Sequence, residues 1–335
     1  MNGSEVTRYA NLALSTLQLK GDYSVAVGLK NHVLIVEGAT DETFIGQIRH
    51  PDARCYTISK LIRATSAFAT KPAPPVNNKE LIVEILKRLV RSPEFFGFPK
   101  GSEKWPLFGM VDRDYDEPGR FAEIRHLFFT DTHDLETMML STDGTLLTRL
   151  TNCPIDPANV KKALYLACQL AHYRVAIYGE GTLDVKLMNE PDGSIAFERF
   201  TDGLLIDPKR LLAMIGERQP NGPSREKLNK VLRAVLQKMK KYVDKDGVWK
   251  KPFETFEADR RDEFWQITNG HDILSAVRFV CPDAGSRFSD AGSFSRNRDF
   301  EFALQAVYDF DCFRSTDLFR HLSDNGLVVT ARRVM

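Results

Sequence analysis

The sequence predicts an α/β fold: a parallel sheet flanked by helices, followed by a mostly helical C-terminal region. Three short apolar runs, at residues 33–36, 107–111 and 126–129, are typical of strands that are buried on both faces. Helical patterns separate these runs along the chain. A strand–helix–strand order of this kind favours parallel strands joined by right-handed crossovers.

The first half of the chain contains the predicted sheet. Its helices are expected at residues 4–20, 41–49 and 79–90, and its further strands at 25–29 and 55–59. The helix over 79–90 has the clearest pattern, because its leucines and isoleucines recur on one face. The segments predicted to be loops are 70–78 and 92–105.

The second half is predicted to be mostly helical. Its helices are expected at residues 156–178, 207–217, 225–243, 264–279, 300–309 and 316–323. Pro157 and Pro208 fit the first turns of two of these helices, where a missing backbone N–H costs nothing. The change of pattern divides the chain into two domains, residues 1–150 and 151–335.

The composition excludes several classes of protein. The 335 residues carry 46 basic and 45 acidic side chains, so no overall positive charge marks a nucleic-acid-binding protein. Five cysteines lie far apart without a Cys-x-x-Cys pair, which argues against a zinc site and a disulfide framework. No leader and no apolar run of membrane-spanning length is visible, so we expect a cytoplasmic protein without a membrane partner.

A carboxylate follows the first buried strand directly. Glu37 and Gly38 end the run at 33–36, and Thr40 fits the N-cap of the next helix. Gly38 permits a tight turn between the strand and the helix. Ligands of open α/β sheets bind at the carboxyl ends of the strands, so Glu37 is a candidate site residue. The alternative is an ordinary solvated loop residue.

A second strand ends in a cluster of acids. The run at 107–111 leads into Asp112, Asp114 and Asp116. In an extended segment, residues two apart point to the same face, so Asp112 and Asp114 are expected to converge. Two such carboxylates repel each other unless a cation lies between them, and hard oxygen ligands suit Mg²⁺ or Mn²⁺.

The two motifs together resemble the Toprim catalytic domain of topoisomerases, primases and OLD (overcoming lysogenization defect) nucleases. In that family, one strand ends in Glu-Gly and a later strand ends in Asp-x-Asp, as VEGATDETF and VDRDYD do here. The resemblance implies a Toprim-like sheet in which Glu37 is a general acid/base or a metal ligand. It also implies that Asp112 and Asp114 are catalytic metal ligands. Asp41, one helical turn past Glu37, is a candidate ligand of a second metal, and Asp116 is either a further ligand or a loop residue.

Two later motifs narrow the resemblance. THDLETMML and NGHDI are similar to segments of Toprim-like nucleases from bacterial anti-phage systems, and in particular of the PARIS effector, which works with an ABC-type ATPase. This resemblance implies that Glu136 is an active-site carboxylate. The alternative is a helix N-terminus, where the helix dipole favours acids without any catalysis. The neighbouring residues whose roles stay open are His133, Asp134, His271 and Asp272.

One segment carries an excess of positive charge. Residues 225–251 contain ten Lys and Arg residues against three acids. The predicted outward face of this segment carries Lys230, Arg233, Lys240 and Lys241. Such a face is typical of a solvated helix. In a nuclease it would bind phosphates, and docking on a partner protein is an equal alternative.

The resemblance implies a metal-dependent nuclease that cleaves phosphodiester bonds in DNA or RNA, transfer RNA included, with Mg²⁺ or Mn²⁺ as cofactor. Residues 1–150 would be the catalytic domain, and residues 151–335 would bind substrate or a partner. The chain has no Gly-x-x-x-x-Gly-Lys-Ser/Thr loop, so the ABC-type ATPase that restrains a toxic anti-phage effector would be another chain. A homodimer is a further alternative for the assembly of the chain.

Two alternatives remain. The first is a non-catalytic Toprim-like module that binds nucleic acid or protein. The second is a phosphatase of the Asp-x-Asp type. This alternative is weaker, because the residues after Asp112 do not match the DxDxT-like loop that this chemistry uses.

Overall fold

The computed structural model describes residues 3–19, 32–63, 77–91, 107–114, 116, 119–150, 154–190, 194–220, 222–258, 263–282 and 297–329. The strand expected at 25–29 and most of the two expected loops lie outside these residues. The chain forms two units: unit 1 contains residues 1–131 and 310–335, and unit 2 contains residues 132–309. This division falls after Asp131, earlier than the boundary expected at residue 150.

Unit 1 is built around a parallel sheet, and the predicted α/β fold class is confirmed. The strands are β1 (His32–Val36), β2 (Ala53–Thr57), β3 (Leu107–Val111) and β4 (Leu127–Phe129), in the spatial order β2-β1-β3-β4. β3 is buried along its whole length and β1 over four of its five residues, as central strands should be. Because all the pairings are parallel, the strands present their carboxyl ends at one edge.

The helices of unit 1 pack around this sheet. They are α1 (Gly3–Leu19), α2 (Ala39–Ile48), α3 (Ile58–Arg63) and α4 (Asn78–Arg91), with α12 (Phe310–Arg314) and α13 (Asp317–Asp324) from the end of the chain. The predicted apolar face of α4 is buried in the core with α1 and β3. Gly109 of β3 allows this close packing, because a Cβ there would lie 2.5 Å from Ile82 Cγ2.

Local details differ from expectation at two places in unit 1. α2 begins at Ala39, so its N-cap is Gly38 and the expected N-cap at Thr40 is wrong. The carboxylate of Asp41 accepts a 2.8 Å hydrogen bond from the Gly38 N–H and so closes the first turn. The strand expected at 55–59 ends at Thr57, because Ile58 already begins α3.

The C-terminal segment belongs to unit 1 because it is tied to the sheet by hydrogen bonds. The two carboxylate oxygens of Asp131, just after β4, accept bonds of 2.7 and 2.8 Å from the backbone N–H groups of Asp317 and Leu318. Val329 N–H also donates to the Ile48 carbonyl at 2.8 Å. These contacts join residues far apart in sequence, which explains why local patterns do not predict them.

Unit 2 is mostly helical, as expected. Its helices are α5 (Leu135–Thr142), α6 (Pro157–Tyr178), α7 (Pro208–Arg218), α8 (Arg225–Lys238), α9 (Phe264–Ile267), α10 (Gly270–Val280) and α11 (Asn297–Val307). A short antiparallel pair, β5 (Thr201–Asp202) and β6 (Leu205–Ile206), is not predicted by the sequence pattern. Asp156 and Asp207 cap α6 and α7, and a proline occupies the first turn of each, as predicted.

Two helices of unit 2 are shorter than the sequence predicts. α8 ends at Lys238, five residues before the expected end at Val243, because the chain turns into a hairpin there. The helix expected over 264–279 is divided into α9 and α10, since Asn269 caps a new helix. Within the described residues, no helix has the length and apolar character needed to cross a membrane.

Candidate active site

The candidate site lies at the carboxyl edge of the sheet in unit 1. β1 and β3 are adjacent with Val36 opposite Met110, so Glu37 and Asp112 leave the sheet on neighbouring strands. The Oε1 atom of Glu37 accepts a 2.9 Å hydrogen bond from the Asp112 backbone N–H. The Asn78 side-chain amide donates to the Glu37 carbonyl at 2.9 Å. The structure therefore brings together the two strand ends that the sequence predicts to meet.

The carboxyl group of Glu37 has a pKa well above that of an ordinary glutamate. Burial raises the pKa of Glu37 to about 8, and the hydrogen bond from the Asp112 N–H offsets this rise only in part. The negative charges of Asp114 and Asp41 raise the pKa of Glu37 further. A pKa near the working pH is what a general acid/base requires, because the group must both hold and release a proton.

Lys79 is a site residue that the helix prediction does not single out. Its Nζ atom lies 3.0 Å from Asp114 Oδ2 and 2.5 Å from Asp116 Oδ2. It also donates to the backbone carbonyls of Asp112, at 2.5 Å, and Arg113, at 3.1 Å. Burial alone would lower the pKa of Lys79, but the two carboxylates outweigh this effect and raise it. The ammonium therefore stays charged and holds the acidic loop together.

A sequence signal for Lys79 does exist. Lys79 precedes Ile82 by three residues and Leu86 by seven, which places it on the buried face of α4. Only 7% of its side chain is exposed. A buried lysine requires a partner, because an unpaired buried charge is very costly. A lysine on the apolar stripe of a helix, in a chain whose next strand ends in an acidic loop, is thus a signal for a buried ion pair.

Asp114 lies in a turn and not in an extended segment. β3 ends at Val111, and Asp114 has a φ of +49°, the left-handed region. The expectation of an extended segment from Asp112 to Asp114 is therefore wrong, and the period-two argument for the convergence of the two carboxylates does not apply. Aspartate tolerates this conformation better than most residues, but it still carries strain. The turn directs the Asp114 carboxylate to Lys79.

The remaining two acids of the cluster have defined contacts. Asp116 pairs with Lys79 and also with Arg120, so it belongs to the cluster through cations. Asp41 is buried at the start of α2, where its carboxylate binds the Gly38 N–H. Its charge nevertheless acts on Glu37, whose pKa it raises. Asp41 is thus a helix-capping residue beside the site.

The chemistry of this cluster fits a hard cation only in part. Among the described residues, no group of three or more His, Cys, Asp and Glu side chains is arranged to hold a metal ion. The Lys79 ammonium binds Asp114, which the sequence argument assigns to the metal. The oxygens of Asp41 and Asp112 are donors that Mg²⁺ and Mn²⁺ prefer. A divalent cation would also relieve the repulsion that raises the pKa of Glu37.

Glu136 belongs to unit 2. Glu136 is buried in the first turn of α5. A Cβ atom added to Gly270 would lie 2.4 Å from the Cβ atom of Glu136. The backbone of α10 at Gly270 therefore packs directly against the side chain of Glu136 on α5.

Asp134 has a structural role at the same place. It caps α5 through a 2.9 Å bond from the Thr137 N–H and accepts a 2.7 Å bond from the Gly270 N–H. His133 Nδ1 lies 3.1 Å from the Oδ2 atom of the same carboxylate. Burial would raise the pKa of Asp134, but these hydrogen bonds outweigh it and lower the pKa. The carboxylate thus stays charged as a link between α5 and α10.

The NGHDI motif also has a structural account. Asp272 is 1% exposed and forms a two-pronged ion pair with Arg174, with distances of 2.7 and 2.8 Å. Asn269, not Asp272, caps α10. His271 Nε2 lies 3.3 Å from Glu301 Oε1. The motif therefore begins a helix and fixes it to α6.

The predicted basic surface is present in altered form. Lys230 and Arg233 are exposed on α8, as expected. Lys240 and Lys241 are exposed as well, but they follow the end of α8. The four cations therefore do not share one helix face, because the chain turns after Lys238.

A scan of the chain against protein-family models finds no match, and a search of curated protein sequences finds no match either. The geometry and charge of the carboxylate cluster therefore carry the functional proposal, together with the motif resemblance.

Proposed function

We propose that the protein is a metal-dependent nuclease whose active site is the carboxylate cluster of unit 1. The observation that carries this proposal is Glu37, a half-buried carboxyl group whose carboxylate binds the Asp112 N–H at the carboxyl edge of a parallel sheet and whose pKa is raised to about 8. Ionisable groups with strongly shifted pKa values cluster at functional sites, and this edge is where open α/β sheets bind ligands. The resemblance to Toprim nucleases supports the same assignment.

In this proposal Glu37 is the general acid. It would give its proton to the leaving oxygen of the phosphodiester, which would otherwise depart as an unstable alkoxide. Lys79 and Asp114 position the loop, because Lys79 binds two of its carbonyls and two of its carboxylates. Mg²⁺ or Mn²⁺, when bound by Asp41 and Asp112, would supply charge neutralisation at the phosphate.

The substrate would be DNA or RNA, transfer RNA included. The exposed cations of unit 2, Lys230, Arg233, Lys240 and Lys241, would bind its phosphates, and such contacts give sequence-independent, salt-sensitive affinity. Glu136 stays a candidate from the resemblance alone.

The biological role is inferred from the motifs that resemble the PARIS effector. We propose a toxic effector of anti-phage defence that acts in the cytoplasm and is restrained by an ABC-type ATPase on another chain. Co-purification with a neighbouring ATPase, and loss of toxicity in the Glu37→Gln variant without loss of the partner, would support this role.

The test of the enzymatic function is cleavage by purified protein. Single- and double-stranded DNA and RNA are incubated with Mg²⁺, Mn²⁺ or a chelator. Glu37→Gln keeps the acceptor for the Asp112 N–H but cannot donate the acid proton, so cleavage should fall roughly 100-fold or more. Glu84→Gln, which alters an ion pair on α4, is the matched control and should cleave normally. A Glu37→Gln variant as active as the wild type would refute the role of Glu37.

A specific observation favours the second candidate, a non-catalytic Toprim-like module. Lys79 already neutralises Asp114 and Asp116, so this part of the cluster is stable without a metal. Nucleic-acid or protein binding by the wild type, with no cleavage of any substrate under any of these metal conditions, would support this module.

A further inference from the structure

Unit 2 contains a pocket of about 380 Å³ whose walls are largely aromatic. His172 of α6 lies in one wall, and the chain after α8 supplies Tyr242, Trp249 and Phe256. Phe264, at the start of α9, completes this lining. The volume lies within the range of small-molecule sites, roughly 300–1,000 Å³. The function proposed for the carboxylate cluster makes no use of this pocket.

The pocket is held in shape by a hairpin over residues 242–250. The Lys250 N–H donates to the Tyr242 carbonyl at 2.9 Å, and Val243 pairs with Trp249 in an antiparallel bridge. The tip is closed by the Asp244 carboxylate, which accepts backbone N–H bonds of 2.9 and 2.8 Å. The hydroxyl of Tyr173 on α6 donates to the Gly247 carbonyl at 3.0 Å. The aromatic rings are therefore positioned before any ligand binds.

The rings present both flat faces and polar atoms. Tyr242 and Trp249 are nearly parallel, at 9° with centroids 5.8 Å apart, and His172 lies 3.9 Å from Tyr242. Trp249 is 9% exposed, and in the described part of the chain its indole N–H has no acceptor. A buried donor without an acceptor is rare in proteins. A ligand with acceptor atoms at the edge of a flat ring would satisfy it.

Three exposed lysines line the same pocket. Lys241 Nζ lies 5.2 Å from the centroid of the Tyr242 ring, and Lys251 Nζ lies 5.3 Å from that of Phe256. Lys250 lines the pocket between them in sequence. Glu263 is an acidic lining residue and offers an acceptor for an amino group. The pocket thus combines ring faces for stacking with several cations for an anionic group.

We propose that this pocket binds one nucleotide, with the base against the Tyr242 and Trp249 rings and the phosphate at Lys241 and Lys250. Proteins bind unpaired nucleotides with aromatic side chains beside cations, because every base has a π-face and every nucleotide carries a phosphate. The inference deepens the proposed function, since the pocket would hold an unpaired base of the nuclease substrate. Binding here requires no cleavage, so the two proposals are tested separately.

The test is a binding assay in the Glu37→Gln background, which prevents loss of the probe by cleavage. Short labelled single-stranded RNA and DNA are titrated by fluorescence anisotropy, and AMP and CMP by calorimetry. Lys241→Ala and Lys250→Ala should each weaken binding about threefold or more, because each loses a phosphate contact. Tyr242→Ala should weaken it about fivefold or more through lost stacking. Trp249→Phe keeps the ring but removes the N–H, and it should also weaken binding.

The matched control is Lys245→Ala. Lys245 lies at the tip of the same hairpin and carries the same charge, but it is not part of the pocket lining. Stronger losses at Lys241 and Lys250 than at Lys245 support the pocket, and tight binding of AMP or CMP would identify a free nucleotide as its ligand. Binding of the oligonucleotides but not of AMP or CMP would identify a base within a strand. Equal affinity of the Lys241→Ala, Lys250→Ala and Lys245→Ala variants for every probe would overturn the proposal.

A separate result concerns the proposed enzyme. Wild-type protein that binds the probes through this pocket but cleaves no substrate would refute the nuclease and leave the nucleotide pocket standing. Cleavage that is unaffected by Lys241→Ala and Lys250→Ala, together with unchanged binding, would leave the nuclease standing and refute the pocket.

Discussion

Replacing Lys79 with methionine is the sharpest test of the acidic loop. The substitution keeps the length and most of the volume of the side chain but removes the ammonium that binds Asp114 and Asp116. It also removes the donor to the carbonyls of Asp112 and Arg113. The loop would then hold its negative charges without the cation that lies among them.

The expected cost follows from the burial of the partners. Breaking a buried ion pair by removing one partner costs about 3–5 kcal/mol, because the other charge stays buried. Asp116 is 10% exposed and is close to this limit, although Arg120 still neutralises part of its charge. Asp114 is 46% exposed, so water screens it and its contribution is small. We therefore expect the free energy of unfolding of unit 1 to fall by about 2–4 kcal/mol.

The assay is urea unfolding monitored by hydrogen exchange. Exchange of the backbone amides of β1 and β3 reports the stability of unit 1. Lys60→Met is the matched control, because Lys60 forms an exposed pair with Glu42 at 2.6 Å and should cost less than about 1 kcal/mol. Mn²⁺ should restore part of the stability of Lys79→Met, since the acids can then recruit another cation. A loss at Lys79 no larger than that at Lys60 would refute the buried ion-pair argument.

Two further substitutions test the packing and the electrostatics. Gly109→Ala should destabilise unit 1 by about 1–3 kcal/mol, because the new Cβ would lie 2.5 Å from Ile82 Cγ2. Gly46→Ala is the control: no described atom lies within 4 Å of its new Cβ, so the stability should stay the same or rise. A Gly109→Ala variant as stable as the wild type in urea would contradict this packing. Burial and Lys241 lower the pKa of His172 from 6.5 to about 4, so the unfolded chain binds more protons between these values. Stability should therefore fall as the pH drops from about 6.5 to 4, by at most about 3 kcal/mol, and His172→Gln should remove this part of the loss. Urea unfolding at both ends of the range decides it, and an unchanged acid sensitivity in the variant would exclude His172 as the cause.

Local patterns were sufficient for the elements but not for the contacts between them. The apolar runs predict β1 and β3, and the Asp-Pro pairs predict the starts of α6 and α7, because these signals lie within one element. The early end of α8 leads into the hairpin at 242–250, whose Gly247 carbonyl accepts a hydrogen bond from Tyr173 of α6. Tyr165 of the same helix donates to the Lys251 carbonyl directly after the hairpin. The end of this helix is thus set by tertiary contacts, and a local stretch of sequence does not reveal them.

The candidate site shows the same limit. The meeting of Glu37 with Asp112 follows from the parallel order of the strands and is predictable. The direction of Asp114 is not, because it depends on a left-handed turn and on a lysine from another element. The period-two rule applies only while the chain is extended, and β3 ends before the acids begin.

The packing of α4 connects the core of unit 1 to its chemistry. Gly109 lets α4 approach β3 closely, and this approach sets the position of the first turn of the helix. Asn78 and Lys79 in that turn bind the carbonyls of Glu37 and Asp112, the two residues that leave the central strands. The loop carbonyl held by Lys79 belongs to the same residue whose N–H binds the Glu37 carboxyl group. A shift of α4 would therefore move both halves of the site at once, so the buried face of this helix fixes the geometry of the Glu37 carboxyl group, the general acid of the proposed nuclease.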